Sequence, residues 1–295
     1  MARFEATGWK NGDVQEALDD LIRLLDLEAI EVNLFRGRSP DEDRQRVFGG
    51  QVAGQALVAA ARTIEEPDRL VHSLHAYFLR PGDPKVPIVY EVDRIRDGRS
   101  FSTRRVVAIQ HGRAIFNLQA SFHDHESGLD HQTRASLDVP APESLPDFRE
   151  RMAPYKDQVG PSYDIPRPID VRYVNGDPMT RGNSRANGQK VWMRANGTLP
   201  DDPTLHACIV TYASDMTLLD TTLLPHGRNW FDGVQMASLD HAMGFHRSFR
   251  ADDWLLYEQH AISSSNARGL AGGSIFTSSG DLAVNVVQEG LIRAQ

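Results

Sequence analysis

Cysteine is almost absent. Cys208 is the single thiol among 295 residues, so no intrachain disulfide can form and no multi-cysteine zinc site can be built. Its neighbours His206, Ala207, Ile209 and Val210 make no evident thiolate-stabilising site, and Cys208 reads as a core residue rather than a nucleophile. Positive charge is also in deficit, with 32 Lys and Arg against 40 Asp and Glu and a net charge of -8. General affinity for nucleic acid or an anionic membrane is excluded, because both need a basic surface field. Any anionic ligand must therefore find a local basic pocket. No apolar run approaches the roughly 20 residues of a membrane helix. The opening Met-Ala-Arg-Phe-Glu-Ala-Thr-Gly lacks a signal-peptide core, and the final Leu-Ile-Arg-Ala-Gln is not a Ser-Lys-Leu address, so the cytoplasm is the expected location.

Familiar catalytic signatures are missing too. There is no Gly-x-Ser-x-Gly elbow, no His-Glu-x-x-His and no strand-preceded dinucleotide fingerprint, which disfavours a covalent serine hydrolase, a zinc hydrolase and a dehydrogenase. Gly49 and Gly54 have the outer spacing of a phosphate loop, yet Gln55 and Ala56 stand where Lys and a hydroxyl are required. His123, Asp124, His125, Asp130 and His131 imitate a metal tract, but their polar, Pro-rich surroundings read as a solvated surface connection.

What is present is an ordinary globular composition, 40% hydrophobic and 24% charged, long enough for one large domain or two average ones. After a loose N-terminal arm, Leu18, Leu21, Ile22 and Leu25 share one face of an amphipathic helix over residues 14–27. Residues 29–36 alternate as a strand. Residues 47–62, rich in Gly, Ala and Gln, predict a central helix whose small side chains permit close packing on a curved sheet. Alternating strands follow at 71–79, 88–96, 101–110 and 114–122, parted by Pro81-Gly82, Asp97-Gly98 and His111-Gly112, as in antiparallel hairpins. Helix plus meander gives an α+β layer. Residues 123–162 lose periodicity and read as a linker.

The second half then repeats the first. Ser238-Leu-Asp-His-Ala answers Ser73-Leu-His-Ala, and Trp254-Leu-Leu-Tyr-Glu answers Pro87-Ile-Val-Tyr-Glu, at an offset of about 165 to 169 residues. Later segments keep this spacing. The period is too long for a solenoid, so two homologous units joined as a pseudo-dimer are expected: residues 14–125 and 166–293, with 126–165 between them. In this frame an apolar helix over 212–225 is the partner of the helix at 48–62.

That second helix carries an oddity. Asp215 falls inside it, and a buried carboxylate must be paired, hydrogen-bonded or employed. On the segment alone, Ser214 or Asp215 as an N-cap is the plainer reading. The first copy, however, has Gly50 and Gln51 in that region and no Asp. The second copy adds Ser238-Leu-Asp240-His241 and Gln288 on a last strand. Each polar residue alone could merely satisfy a neighbour. Together an Asp, a hydroxyl and an amide can orient one water while the carboxylate takes its proton.

At these residues the chain resembles the acyl-CoA thioesterase II family, the TesB-like thioesterases. The resemblance is carried, over nearly the whole chain, by Val47-Phe-Gly-Gly-Gln-Val-Ala-Gly-Gln-Ala, Leu74-His-Ala-Tyr-Phe-Leu-Arg-Pro-Gly, Ser214-Asp-Met-Thr-Leu-Leu, Ser238-Leu-Asp-His-Ala-Met-Gly-Phe-His-Arg, Trp254-Leu-Leu-Tyr, Ser265-Asn-Ala-Arg-Gly and Val287-Gln-Glu-Gly. It implies a double hotdog fold, in which each sheet wraps a central helix and the sheets join edge to edge. It also implies hydrolysis of fatty acyl-CoA to free acid and CoA without metal or organic cofactor, with further homo-oligomerisation. The family's Asp, Thr and Gln set falls on Asp215, Ser238 and Gln288. Ser for Thr keeps the hydroxyl and loses the methyl that restricts its rotamer. Arg80 and Arg268 are candidates for the CoA phosphates, with His241 a further substrate-binding candidate. A backbone N–H at a central helix start is the expected oxyanion donor. Two rivals remain: a hotdog enoyl-CoA hydratase or dehydratase, whose Asp-x-Asn-Pro-x-His motif is absent here and for which the adjacent Asp240 and His241 would fall on opposite faces of a strand, and a catalytically silent acyl-CoA-binding protein.

Overall fold

The computed structural model describes residues 11–40, 45–135, 137–176, 185–229 and 232–294. The N-terminal arm expected over residues 1–10 lies outside them. The amphipathic helix is α1 (Asn11–Leu25), which buries Leu18, Leu21 and Leu25. The stretch read as one strand is a hairpin, β1 (Glu28–Glu31) and β2 (Leu34–Gly37), turning at Asn33 with φ of 62°. Asn tolerates that left-handed conformation better than most residues.

The central helix α2 (Gly49–Ala61) is buried nearly all round. It is followed by β3 (Leu70–Phe78), β4 (Ile88–Asp97), β5 (Phe101–Gln110) and β6 (Arg113–His123). The connecting segment is more ordered than its composition suggests. Short 3-10 turns at Pro142–Ser144, Ala153–Tyr155 and Gly160–Asp164 alternate with α3 (Phe148–Met152) and α4 (Lys156–Val159). Arg172 holds this segment by donating to the carbonyls of Pro142 and Leu145 at 3.0 and 3.1 Å. The supposed metal tract is also engaged otherwise: Asp124 accepts from the buried Arg69 at 2.8 Å, and Asp130 pairs with Arg247.

The second half runs β7 (Ile169–Tyr173), β8 (Gly188–Ala195), α5 (Pro203–Ser214), β9 (Gln235–Ser238), β10 (Asp240–Phe245), β11 (Leu255–Ser265), β12 (Arg268–Thr277) and β13 (Leu282–Arg293). All strands join one antiparallel sheet in the order β1-β2-β4-β5-β6-β3-β10-β13-β12-β11-β8-β7, with β9 paired to β13. The order is symmetric about the β3–β10 seam, where Ala242 faces His75 and Gly244 faces Ser73. Strands β3, β6, β5 and β4 of one half answer β10, β13, β12 and β11 of the other. This is the double hotdog, and the repeat seen in the sequence is the repeat of the sheet.

The helix expected at 212–225 is displaced. Asp202 caps α5 by accepting from the N–H groups of Thr204 and Leu205, and Pro203 occupies the first turn, a combination that starts a helix. That helix ends at Ser214, and a separate 3-10 helix, Leu219–His226, follows. The second half thus inserts an extra turn between its helix and its strands. The offset that relates the strands of the two halves therefore does not relate their helices. Asp215 sits at the C-cap of α5, which overturns the N-cap reading. Cys208, fully buried in α5, is a core residue whose thiol burial pushes well up.

α2 and α5 pack antiparallel and very closely. A Cβ at Gly50 would stand 2.3 Å from the Tyr212 carbonyl oxygen, and one at Gly54 would stand 3.3 Å from that of Cys208. Only glycine lets the helices approach so far. This contact brings the start of α2 against the end of α5.

Candidate active site

The contact between the two helices places Asp215. Its backbone N–H is used within α5, on the Ala213 carbonyl, while its carboxylate turns to the N-terminus of α2 and accepts the N–H of Gly50. A Cβ at Gly49 would lie 2.7 Å from Asp215 Oδ2. Glycine is therefore required twice in succession, once for helix packing and once for room beside the carboxylate. The positive end of the α2 dipole faces the same group.

The sheet supplies the other two residues. Ser238 closes β9, opposite Gly290 of β13, and donates its hydroxyl to Asp215 Oδ1 at 3.2 Å. Gln288 lies two residues before Gly290 on β13, hence on the same face. Its Nε2 donates to Asp215 Oδ1 at 2.5 Å and to Ser238 Oγ at 3.0 Å. The side chain is completely buried, and its Oε1 has no partner among the described residues. Asp215, Ser238 and Gln288, read separately from the sequence, form one hydrogen-bonded cluster.

Electrostatics sets the state of the cluster. Burial raises the Asp215 pKa from the ordinary value, and the donors Gln288, Ser238 and Gly50 N–H oppose it, leaving it at about 6. Such a carboxylate is ionised at neutral pH yet basic enough to take a proton.

Behind the cluster a 3-10 helix is seated on glycines. A Cβ at Gly290 would meet Leu219 at 2.4 Å, and one at Gly269, its partner across β12 and β13, would meet Thr222 at 2.7 Å. The flat patch lets Leu219–His226 lie down on the sheet. A buried network fastens the turn before it: Gln259 donates to Thr217 Oγ1 at 2.5 Å and accepts from Gln189 at 2.8 Å and from Thr221 at 3.2 Å.

Asp215 and Ser238 open onto a cleft of about 460 Å³. Phe48, Val52, Phe78, Ile115, Phe116 and Leu219 give it an apolar side. Arg46, Arg80 and Asp220 also line it. Arg80, expected from the sequence, is tethered to the Ala114 carbonyl. Arg46, which the sequence reading passed over, donates to the Met236 carbonyl at 2.8 Å. Its only sequence signal is its place beside Val47-Phe-Gly-Gly. Asp220 was likewise missed, hidden in an apolar stretch as a surface-like Asp between Leu219 and Thr221.

Two candidates do not reach the cleft. His241 is buried in β10 with its Nε2 2.8 Å from Ser214 Oγ. Burial holds its pKa down to about 4, so the ring is neutral and supports the last turn of α5. Arg268, at the start of β12, is half-exposed and donates to Glu289 Oε1 at 2.9 Å. It faces Leu291, beyond Gly290, which carries it past the cluster. The adjacent Asp240 and His241 diverge: the Asp240 carboxylate accepts the Glu289 N–H at 2.6 Å while His241 enters the core.

Residues 165–291 match the family described as acyl-CoA thioesterase, and residues 38–123 match the acyl-CoA thioesterase N-terminal domain. Acyl-coenzyme A thioesterase 8 of Mus musculus is 43% identical over 298 residues, which cover 96% of this chain and 91% of that protein. The crystal structure of the acyl-CoA thioesterase II TesB2 from Mycobacterium marinum is 45% identical with a TM-score of 0.77, covering 93% of this chain and 98% of that one. A hot dog fold protein of unknown function from Alicyclobacillus acidocaldarius shares the architecture at a TM-score of 0.76 and 20% identity, over 94% of this chain and 98% of its own. At 43% identity over 96% of its length to such a relative, this chain belongs to the acyl-CoA thioesterase family.

Proposed function

We propose that the protein hydrolyses fatty acyl-CoA to free acid and CoA by direct attack of a water held among Asp215, Ser238 and Gln288. The observation that carries this reading is the convergence of Ser238 and Gln288 on one oxygen of the Asp215 carboxylate at the wall of a cleft with a large apolar share. Asp215 is the general base. Ser238 and Gln288 fix its orientation and hold the water. The first turn of α2, beside the base, supplies the charge compensation for the oxyanion.

The apolar wall suits an acyl chain, and Arg46 and Arg80 supply the local positive charge that an acidic protein needs for a phosphorylated substrate. A cytoplasmic setting belongs to the same reading. So does pairing between copies, supported by Tyr77 and Val287, which stand exposed near the central seam. The hydratase reading is weakened by the divergence of Asp240 and His241, and the silent binder by the intact three-residue cluster.

Thiol release from acyl-CoA by Asp215→Asn tests the assignment. A loss of 100-fold or more is expected. A loss below about tenfold would remove Asp215 as the base. Hydration of enoyl-CoA without thiol release would replace the reading altogether.

A further inference from the structure

The cleft holds a second carboxyl group, and its surroundings are the opposite of the first. Asp215 is fixed by Gln288, Ser238 and the Gly50 N–H. Asp220, in the first turn of the 3-10 helix, lines the same cleft. None of the described hydrogen bonds reaches its carboxylate. The glycine-backed seat of that helix presents Asp220 to the cleft, and the Gln259 network holds the intervening turn, so the placement is built into the fold.

We propose that Asp220 is the acid of the reaction, facing the cleft as a neutral carboxyl group and giving its proton to the departing CoA thiolate while Asp215 acts as the base. The inference rests on the thioesterase reading above. Water adds to the carbonyl carbon as one of its protons passes to Asp215. The tetrahedral intermediate then collapses, the C–S bond breaks with its electron pair on sulfur, and the Asp220 proton moves to that sulfur. Asp215 is left protonated and Asp220 ionised. Transfer of the proton from Asp215 to Asp220 through cleft water restores both, so the sum is thioester plus water to acid plus thiol.

The division of roles follows from the environments. Two carboxyl groups in one desolvated cleft do not ionise together readily, and the one with donors ionises first. Burial, followed by the charge of Asp215, pushes Asp220 up to about 7, above Asp215 at about 6. The donors around Asp215 favour its ionised form, and the carboxyl group without them is the one that keeps its proton. An alkyl thiol with a pKa of about 8.5 accepts a proton readily from such an acid.

Other charged groups nearby have their own partners. Arg46 and Arg80 line the cleft but are tethered to the carbonyls of Met236 and Ala114. On the strands beneath the 3-10 helix, Lys190 of β8 pairs with Glu258 of β11, and Arg268 of β12 with Glu289 of β13. His260 of β11 lies against Gly272, and Tyr257 of β11 donates to the Ser214 carbonyl.

The test compares wild type with Asp220→Asn on acyl thioesters of an alkyl thiol and of an acidic aryl thiol, neither carrying the pantetheine arm, together with acyl-CoA itself. An acidic thiol departs without protonation. Expected is a fall in kcat of at least tenfold on the alkyl thioester and acyl-CoA, and of less than about twofold on the aryl thioester. Wild-type kcat/KM should also decline on the alkaline side from about pH 7, a limb that the variant lacks. Equal losses on both thiols, a change in KM alone, or no loss overturns the proposal. Asp220→Ser repeats the comparison if the Asn variant does not fold. Undiminished thiol release by Asp215→Asn would instead sink the underlying base assignment, so the two failures are separable.

Discussion

Gln288 donates its side-chain amide to the Asp215 carboxylate at 2.5 Å across 73 residues of sequence. The bond ties the last strand of the sheet to the end of the second central helix. It makes the charge state of the Asp215 carboxyl a property of the tertiary structure.

The first prediction concerns pH. In the proposed mechanism ionised Asp215 is the active form, so kcat/KM should fall on the acid side with an apparent pKa of about 6. A donor to the ionised form lowers a carboxyl pKa, and removing the donor raises it. Gln288→Ala and Ser238→Ala should each move this limb upward as well as reduce the rate, measured from pH-rate profiles. An acid limb that stays in place in both variants would mean that neither residue governs the base.

Stability should move against activity at Asp215. The native carboxyl binds its proton more tightly than the unfolded one, about 6 against 3.8, so native stability declines as pH rises between these values and stays lower above them. Asp215→Asn removes that penalty, and at pH 8 the inactive variant should be the more stable, by up to about 3 kcal/mol. At pH 4 the gain should largely vanish. Chemical denaturation at the two pH values checks the sign.

The helix contact gives a third prediction. Gly50→Ala would push a methyl group to 2.3 Å from the Tyr212 carbonyl, and overpacking a tight core costs about 1–3 kcal/mol. Because the Gly50 N–H also binds Asp215, thiol release should fall together with the melting temperature. A fully active, equally stable variant would refute the close approach.

Arg46 and Arg80 should act on binding. Replacing either with Ala should raise KM for acyl-CoA severalfold and leave kcat within about twofold. The effect should be small for a pantetheine thioester that lacks the nucleotide phosphates, and added salt should weaken the wild-type preference between the two substrates. Equal effects on both substrates would place these arginines outside phosphate recognition.

Fold class was open to the sequence because it rests on local regularities. Alternating strands, turn pairs such as Asp97-Gly98 and His111-Gly112, and the repeat joining Ser73 to Ser238 all survive as patterns along the chain. Asp215 stands out because the first copy has Gly50 and Gln51 in its region, and the resemblance to the acyl-CoA thioesterase II family singles it out together with Ser238 and Gln288. Local rules also set the limits of that reading. The helix at 212–225 was misplaced because Leu and Met recur at helical spacing on both sides of Asp215, whereas Asp202 and Pro203 start the helix earlier and the chain breaks after Ser214. His241 and Arg268 were named from motif position alone, and burial and strand register carried them away from the cleft.

The sequence by itself determined the two-copy architecture and the burial of Cys208, since periodicity and composition are written along the chain, and its resemblance to a known family singled out the three polar residues. Only the tertiary structure decided that Asp215 ends a helix, that Gly49 and Gly50 make room for it, and that Arg46 and Asp220 share its cleft. Those facts depend on approach between elements far apart in sequence. The distance at which two helices pack and the surface a carboxyl group faces leave no periodic trace in the order of the residues.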